Sequence, residues 1–117
     1  AGTLGEDGDP LDALVVLDEP TFPGCRLHAR AVGVFWMRDD AGPDAKILAV
    51  PADDPRSAQV SDLEDLPEHL LLEIGHFFEA YKMLEPGKFS EVRGWQGREA
   101  AEAEIAAAFQ RAKDTGY

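Results

Sequence analysis

One cysteine, few basic residues and no long apolar run set the first limits on this chain. A lone Cys25 has no partner for an internal disulfide, which excludes the disulfide-stapled secreted class and points to a reducing compartment. Basic residues number 11 against 23 acidic ones, a formal net charge of −12. Binding to DNA or RNA needs Lys and Arg to neutralise phosphates, and the same deficit disfavours anionic membrane surfaces. No nucleic acid and no membrane are expected as partners. Wholly apolar stretches are a few residues long, far below the roughly 18 that span a bilayer, and the acidic start of the chain is not a signal peptide. His28, His69 and His76 have no metal-like spacing with Cys25 or with one another.

What is present suits one folded domain over residues 1–117, with 44% hydrophobic residues to offset the entropy of ordering. Residues 1–65 carry 14 acids and 5 bases, whereas residues 66–117 carry 9 and 6. The first part reads as strands joined by acidic turns: residues 13–17, 27–37 and 45–50 as strands, 20–24 as a turn, and 39–44 as a Gly/Pro loop. The period then changes. Leu70, Ile74, Phe77, Phe78, Tyr81 and Leu84 follow one face of a helix, capped by Asp62 or Asp65 ahead of Pro67 and stopped by Pro86-Gly87. A short strand over 89–95 precedes a second helix over 99–113, with Ala101, Ile105, Ala108, Phe109 and Ala112 on one side. The fold class is therefore α+β, a small sheet or barrel with two helices packed on it.

The chemistry is concentrated in two acidic strings. Asp7, Asp9 and Asp12 lie within six positions of Glu6-Asp7-Gly8-Asp9-Pro10-Leu11-Asp12. Like charges this close repel unless water or a multivalent cation compensates, and oxygen-only donors specify hard ions such as Mg²⁺, Mn²⁺ or Ca²⁺. A solvated loop and a cation site both satisfy this string alone. An EF-hand loop starting at Asp7 fails, because Leu11 and Asp12 stand where an acidic or amide residue and a glycine belong. An aspartyl-phosphate phosphatase fails as well, because Leu11 stands in the threonine position. The second string, Asp39-Asp40-Ala41-Gly42-Pro43-Asp44-Ala45-Lys46, again sets acids beside Gly and Pro at the mouth of a strand. Two such loops with a lysine can assemble the two-metal arrangement used for displacement at phosphorus. Tyr81 on the helix stripe and Lys82 beside it are read either as core packing and helix-end charge or as phosphate contacts.

Together these strings resemble family I soluble inorganic pyrophosphatase. The Asp7-Gly8-Asp9-Pro10-Leu11-Asp12 run is similar to that family's signature. Further matches, in family order, are Phe22-Pro23-Gly24, the loop from Asp39 to Lys46, Ala49-Val50-Pro51, Asp54-Pro55-Arg56 and Asp65-Leu66-Pro67. Then come His76-Phe77-Phe78 with Tyr81-Lys82, Leu84-Glu85-Pro86-Gly87-Lys88, and Gly94-Trp95.

The resemblance implies a five-stranded, OB-like β-barrel with flanking helices, usually a homohexamer in bacteria. It implies magnesium-dependent hydrolysis of inorganic diphosphate to two orthophosphates in the cytoplasm, by in-line attack of a metal-activated water. Mn²⁺ or other divalent cations are possible substitutes. Carried over by position, Asp7, Asp12 and Asp44 ligate one activating metal, and Asp12 bridges to a second. Asp39 with Asp44 and Asp40 holds the metal that arrives with substrate, and Asp9 accepts a proton from the nucleophilic water. Tyr81 and Lys82 contact phosphate, and Lys46 sits beside the metal carboxylates. The family usually has Asp-Glu where this chain has Asp39-Asp40, so the Asp40 side chain reaches less far. The family also carries early strands and further active-site residues upstream of its signature. None of these matches here, so the resemblance implies an incomplete barrel and slow turnover for a chain of this extent. The rival reading is a non-catalytic cation-binding or assembly module.

Overall fold

Residues 45–50 are apolar except for Lys46, a pattern that suits a strand covered on both faces. The structure, a computed structural model, makes this the centre of the molecule as β3 (Gly42–Pro51). It describes residues 3–6, 8, 11–16, 28–39, 42–83 and 90–116, and for Asp39, Tyr81, Lys82, Met83 and Ser90 the backbone alone. The other strands are β1 (Asp12–Val15), β2 (Ala29–Asp39) and β4 (Ser90–Gly97). The helices are α1 (Glu68–Met83) and α2 (Arg98–Thr115), with 3₁₀ turns at Pro55–Ser57 and Leu63–Asp65. The sheet order is β1-β3-β2-β4; β1 runs parallel to β3, and the other pairs are antiparallel. Among the described residues the sheet thus has four strands, with β1 and β4 at its edges. The fifth strand of the expected barrel is not among them.

Side-chain alternation along β3 divides the core into two layers. Leu48 and Val50 face α1 and pack with Val32 and Ile74, and Leu70, Leu71, Phe78 and Trp95 close round them. Ala45 and Ile47 face α2 and pack with Val34 and Ala101. Ala101 and Ala108 of α2 are fully buried, so small side chains let this helix lie close to the sheet. Each fully buried Val or Leu in these layers contributes about 1.5–3 kcal/mol of transfer free energy. A bulge between Ala31 and Gly33 shifts the β2 register, so that Val32 and Phe35 both serve the α1 side. Phe35 stacks on Phe78 at 5.9 Å and tilts against Trp95 at 4.9 Å. Gly75 faces this aromatic layer, where an added Cβ would sit 3.4 Å from the Phe35 ring.

Four expectations are corrected in detail. The acidic loop at 39–44 is shorter, because β2 and β3 stay paired as far as Asp39 opposite Gly42, and Gly42 takes a φ of 127°. Phe77 is 59% exposed, because α1 docks through Leu70, Leu71, Ile74 and Phe78 and turns Phe77 out of that stripe. Phe109 is likewise half-exposed, one residue round α2 from the buried Ala108. Asp62 caps α2 rather than α1. Its Oδ1 accepts the backbone N–H groups of Leu63 (2.7 Å) and Arg98 (3.0 Å), while Asp65 closes the 3₁₀ turn through Ser61 and Asp62. His76 is exposed.

These caps give the fold an acid limit. The N–H groups of Arg98 and Leu63 hold the Asp62 carboxyl below its ordinary pKa, those of Ser61 and Asp62 do the same for Asp65, and Arg56 does so for Asp54. A carboxyl whose folded pKa is depressed adds stability above its unfolded pKa, which is lost as pH falls through the folded value. Melting temperature is therefore expected to hold level above about pH 5 and to fall below about pH 4. Asp62→Asn is expected to lose less between pH 6 and pH 3 than the parent chain in thermal melts. An equal fall in the two would remove Asp62 from the account.

Candidate active site

Parallel pairing sets Asp12 of β1 directly abreast of Lys46 of β3. Asp44 lies two residues before Lys46 and so shares its face of the sheet. The three side chains meet there. The Lys46 ammonium donates to Asp12 Oδ2 at 2.8 Å and lies 3.2 Å from Asp44 Oδ2. Their burial is graded: the Asp44 side chain is 5% exposed, that of Lys46 is 11%, and that of Asp12 is 68%. Burial alone would pull the Lys46 pKa down, but the hydrogen bond to Asp12 and the nearby Asp44 charge outweigh it and hold the pKa above its ordinary value. Beneath the ammonium lies the Phe78 ring, 5.8 Å from Nζ to centroid, a cation–π contact. Asp12, Ala13, Leu14, Lys46, Phe77 and Phe78 line a cleft of about 250 Å³ at this point.

The described flanks of the two acidic turns meet at the same end of the sheet. A Cβ at Gly42, where β3 begins, would sit 3.5 Å from the backbone oxygen of Glu6, so the first acidic segment abuts the second within its Gly/Pro stretch. Asp39 ends β2 opposite Gly42. Tyr81 and Lys82 lie in the last turn of α1, one helical turn beyond Phe77 and Phe78. Of the residues singled out from the sequence, the structure brings Asp12, Asp44 and Lys46 into contact and places the backbone of Asp39, Tyr81 and Lys82. Asp7, Asp9 and Asp40 lie outside the described residues.

Two oxygen donors already aimed at one positive charge fit part of the donor set of a hard divalent cation. No larger group of His, Cys, Asp and Glu gathers for a metal among the described residues. Sequence reasoning missed Phe78 as the surface under the ammonium. The signal was its place one turn before Lys82, next to the aromatic Phe77. It also missed the buried Glu104 and its partner Arg111, two opposite charges seven residues apart on an alanine-rich helix.

The family model for inorganic pyrophosphatase matches residues 1–113. The chain belongs to the inorganic pyrophosphatase family. The inorganic pyrophosphatase of Streptomyces coelicolor is 59% identical over 114 residues, covering 97% of this chain and 70% of the relative. That of Leifsonia xyli is 50% identical over 115 residues, covering 98% and 71%. In the solved inorganic pyrophosphatase structure from Thermus thermophilus, the similarity reaches a TM-score of 0.87 at 46% identity, over 96% of this chain and 66% of that one. As a pyrophosphatase-family chain it carries the acidic strings on a shared backbone frame. Parallel β1–β3 pairing and the pairing of Asp39 with Gly42 place the described members of both strings at one end of the sheet.

Proposed function

We propose that this chain carries the catalytic face of an inorganic pyrophosphatase, hydrolysing inorganic diphosphate to two orthophosphates by in-line attack of water with magnesium as cofactor. The observation that carries the reading is the Lys46 ammonium held between the Asp12 and Asp44 carboxylates at the mouth of the Phe77–Phe78 cleft. In this reading Asp7, Asp12 and Asp44 would hold one Mg²⁺, and Asp39, Asp40 and Asp44 another, with Mn²⁺ as a substitute. When bound, the cations supply a lowered water pKa and neutralise phosphoryl oxygens.

The chain's own groups do the rest. Asp9 takes the proton from the attacking water. Lys46, Tyr81 and Lys82 bind and orient the phosphate oxygens, and the lysines offset the charge that collects on the leaving phosphate. Phe78 keeps the ammonium at a fixed height above the core. No side-chain nucleophile is needed. Residues 1–117 belong to one pyrophosphatase domain of the OB-like, five-stranded barrel type, with β1–β4 as four of its strands. The protein works in the cytoplasm as a homo-oligomer. Likeness to whole pyrophosphatase structures supports this architecture, and among the described residues no helix is long and apolar enough to cross a membrane.

A colorimetric phosphate assay tests the function. Orthophosphate should appear at two per diphosphate consumed, only with Mg²⁺ or a substituting divalent cation such as Mn²⁺, and stop on chelation. Cation binding without phosphate release would favour the non-catalytic module instead.

A further inference from the structure

Asp12 is the exposed member of the charge cluster and sits on a four-residue edge strand, so burial does not secure its place. Its support comes from the far face of the sheet. Leu4 is bonded to α2 at both of its backbone groups: its N–H donates to the Ala108 carbonyl at 3.0 Å, and its carbonyl accepts from Arg111 Nε at 2.7 Å. The same guanidinium donates to the buried Glu104 and lies 3.7 Å from Glu6 Oε1. One residue earlier, the buried Thr3 hydroxyl accepts the Leu11 N–H at 3.1 Å, which ties the two described ends of the acidic turn together next to Asp12. Glu6 in turn abuts Gly42, at the head of β3 and within the second acidic string.

We infer that Arg111 is a positioning residue for the cation site, holding the Thr3–Glu6 segment on α2 so that Leu11 and Asp12 are delivered in register to Lys46. A planar guanidinium can serve the Leu4 carbonyl, Glu104 and Glu6 in three directions at once, whereas a lysine ammonium is a point charge on a flexible stem. Arg111 is 26% exposed and belongs to the helix that packs on the face opposite the cleft, so it touches no reacting group. Its influence runs through the placement of Asp12.

The inference rests on the proposed hydrolase reading, and magnesium binding separates the two. Calorimetric titration with Mg²⁺ alone, without diphosphate, should show affinity about tenfold weaker in Arg111→Met, as for other residues that support a ligand from behind. Arg111→Lys should fall between parent and Met. Thr3→Val, which releases the turn from its other end, should reproduce the Arg111→Met loss. The pair combined should weaken binding by less than the product of the two, because both act on one segment. At saturating Mg²⁺, kcat should be largely restored. A residue that serves stability alone would lower the melting temperature and leave Mg²⁺ affinity in the folded protein unmoved. Folded variants with parental Mg²⁺ affinity, or with kcat lost at unchanged affinity, overturn the inference. If Arg111→Met does not fold, Arg111→Lys and Thr3→Val decide it by the same criterion. A parent chain that binds Mg²⁺ and releases no phosphate overturns the hydrolase reading while the affinity comparison still decides Arg111. A parent that binds no Mg²⁺ overturns both.

Discussion

Lys46→Met is expected to cost about 3–5 kcal/mol of stability in magnesium-free buffer, the range for removing one member of a buried ion pair. Methionine fills most of the lysine stem's volume beside Phe78, so packing changes little and the loss is electrostatic. It removes the ammonium that sits against both Asp12 and the 5%-exposed Asp44. The sign of the magnesium effect is the informative part. A divalent ion held by these carboxylates replaces the missing charge, so adding Mg²⁺ should stabilise the variant more than it stabilises the parent. Urea unfolding with chelator and with Mg²⁺ measures both numbers. A variant equally weakened in the two buffers would show that the carboxylates do not receive a divalent ion. Phosphate release should fall as well, since Lys46 is assigned to the substrate oxygens.

Asp44→Asn should lower kcat by about 10²–10³-fold, the loss typical of deleting one preorganised electrostatic group in a water-poor site. The amide is nearly isosteric with the carboxyl and can still face the Lys46 ammonium through its oxygen, so the melting temperature should change far less than in Lys46→Met. Charge, not shape, is what the substitution removes. Raising Mg²⁺ should recover part of the rate, because Asp44 is assigned to both cation positions. Phosphate release measured across a magnesium series, alongside thermal melts, checks both parts. Activity within about twofold of the parent, against a drop of that size, would take Asp44 out of the site.

Much of the frame was legible in local pattern. The apolar run at 45–50 marked a strand, and its nearly unbroken apolar character is that of the central strand it forms, which is covered on both faces. The 3.6-residue rhythm from Leu70 and the alanine-rich stretch after Glu99 marked the two helices. The two acidic strings, with Lys46 at the end of the second, marked the candidate site, of which Asp12, Asp44 and Lys46 meet in the fold. What stayed hidden depends on contacts between distant residues. Nothing near Asp62 in sequence indicates that its carboxylate caps Arg98, 36 positions on. Phe77 fits the helical stripe by spacing and is exposed only because of how α1 is rotated on Phe35 and Trp95. Likewise, Arg111 reads as an ordinary solvated helix residue until Leu4, 107 positions earlier, is placed beside it. The parallel β1–β3 pairing is another such fact. β2 lies between the two strands in sequence, yet it is their pairing that makes Asp12 and Lys46 neighbours.

That pairing has a thermodynamic corollary. β1 is four residues long and has a single neighbour in the described sheet, the profile of a segment that opens by local fraying before the rest of the molecule lets go. Peeling it away would carry off Asp12 while Asp44 and Lys46 stayed together on β3. Any ligand that prefers the complete cluster must then hold the strand down by mass action, by RT ln(1 + [L]/Kd). Site occupancy and amide-exchange protection along β1 are thus two gauges of one equilibrium.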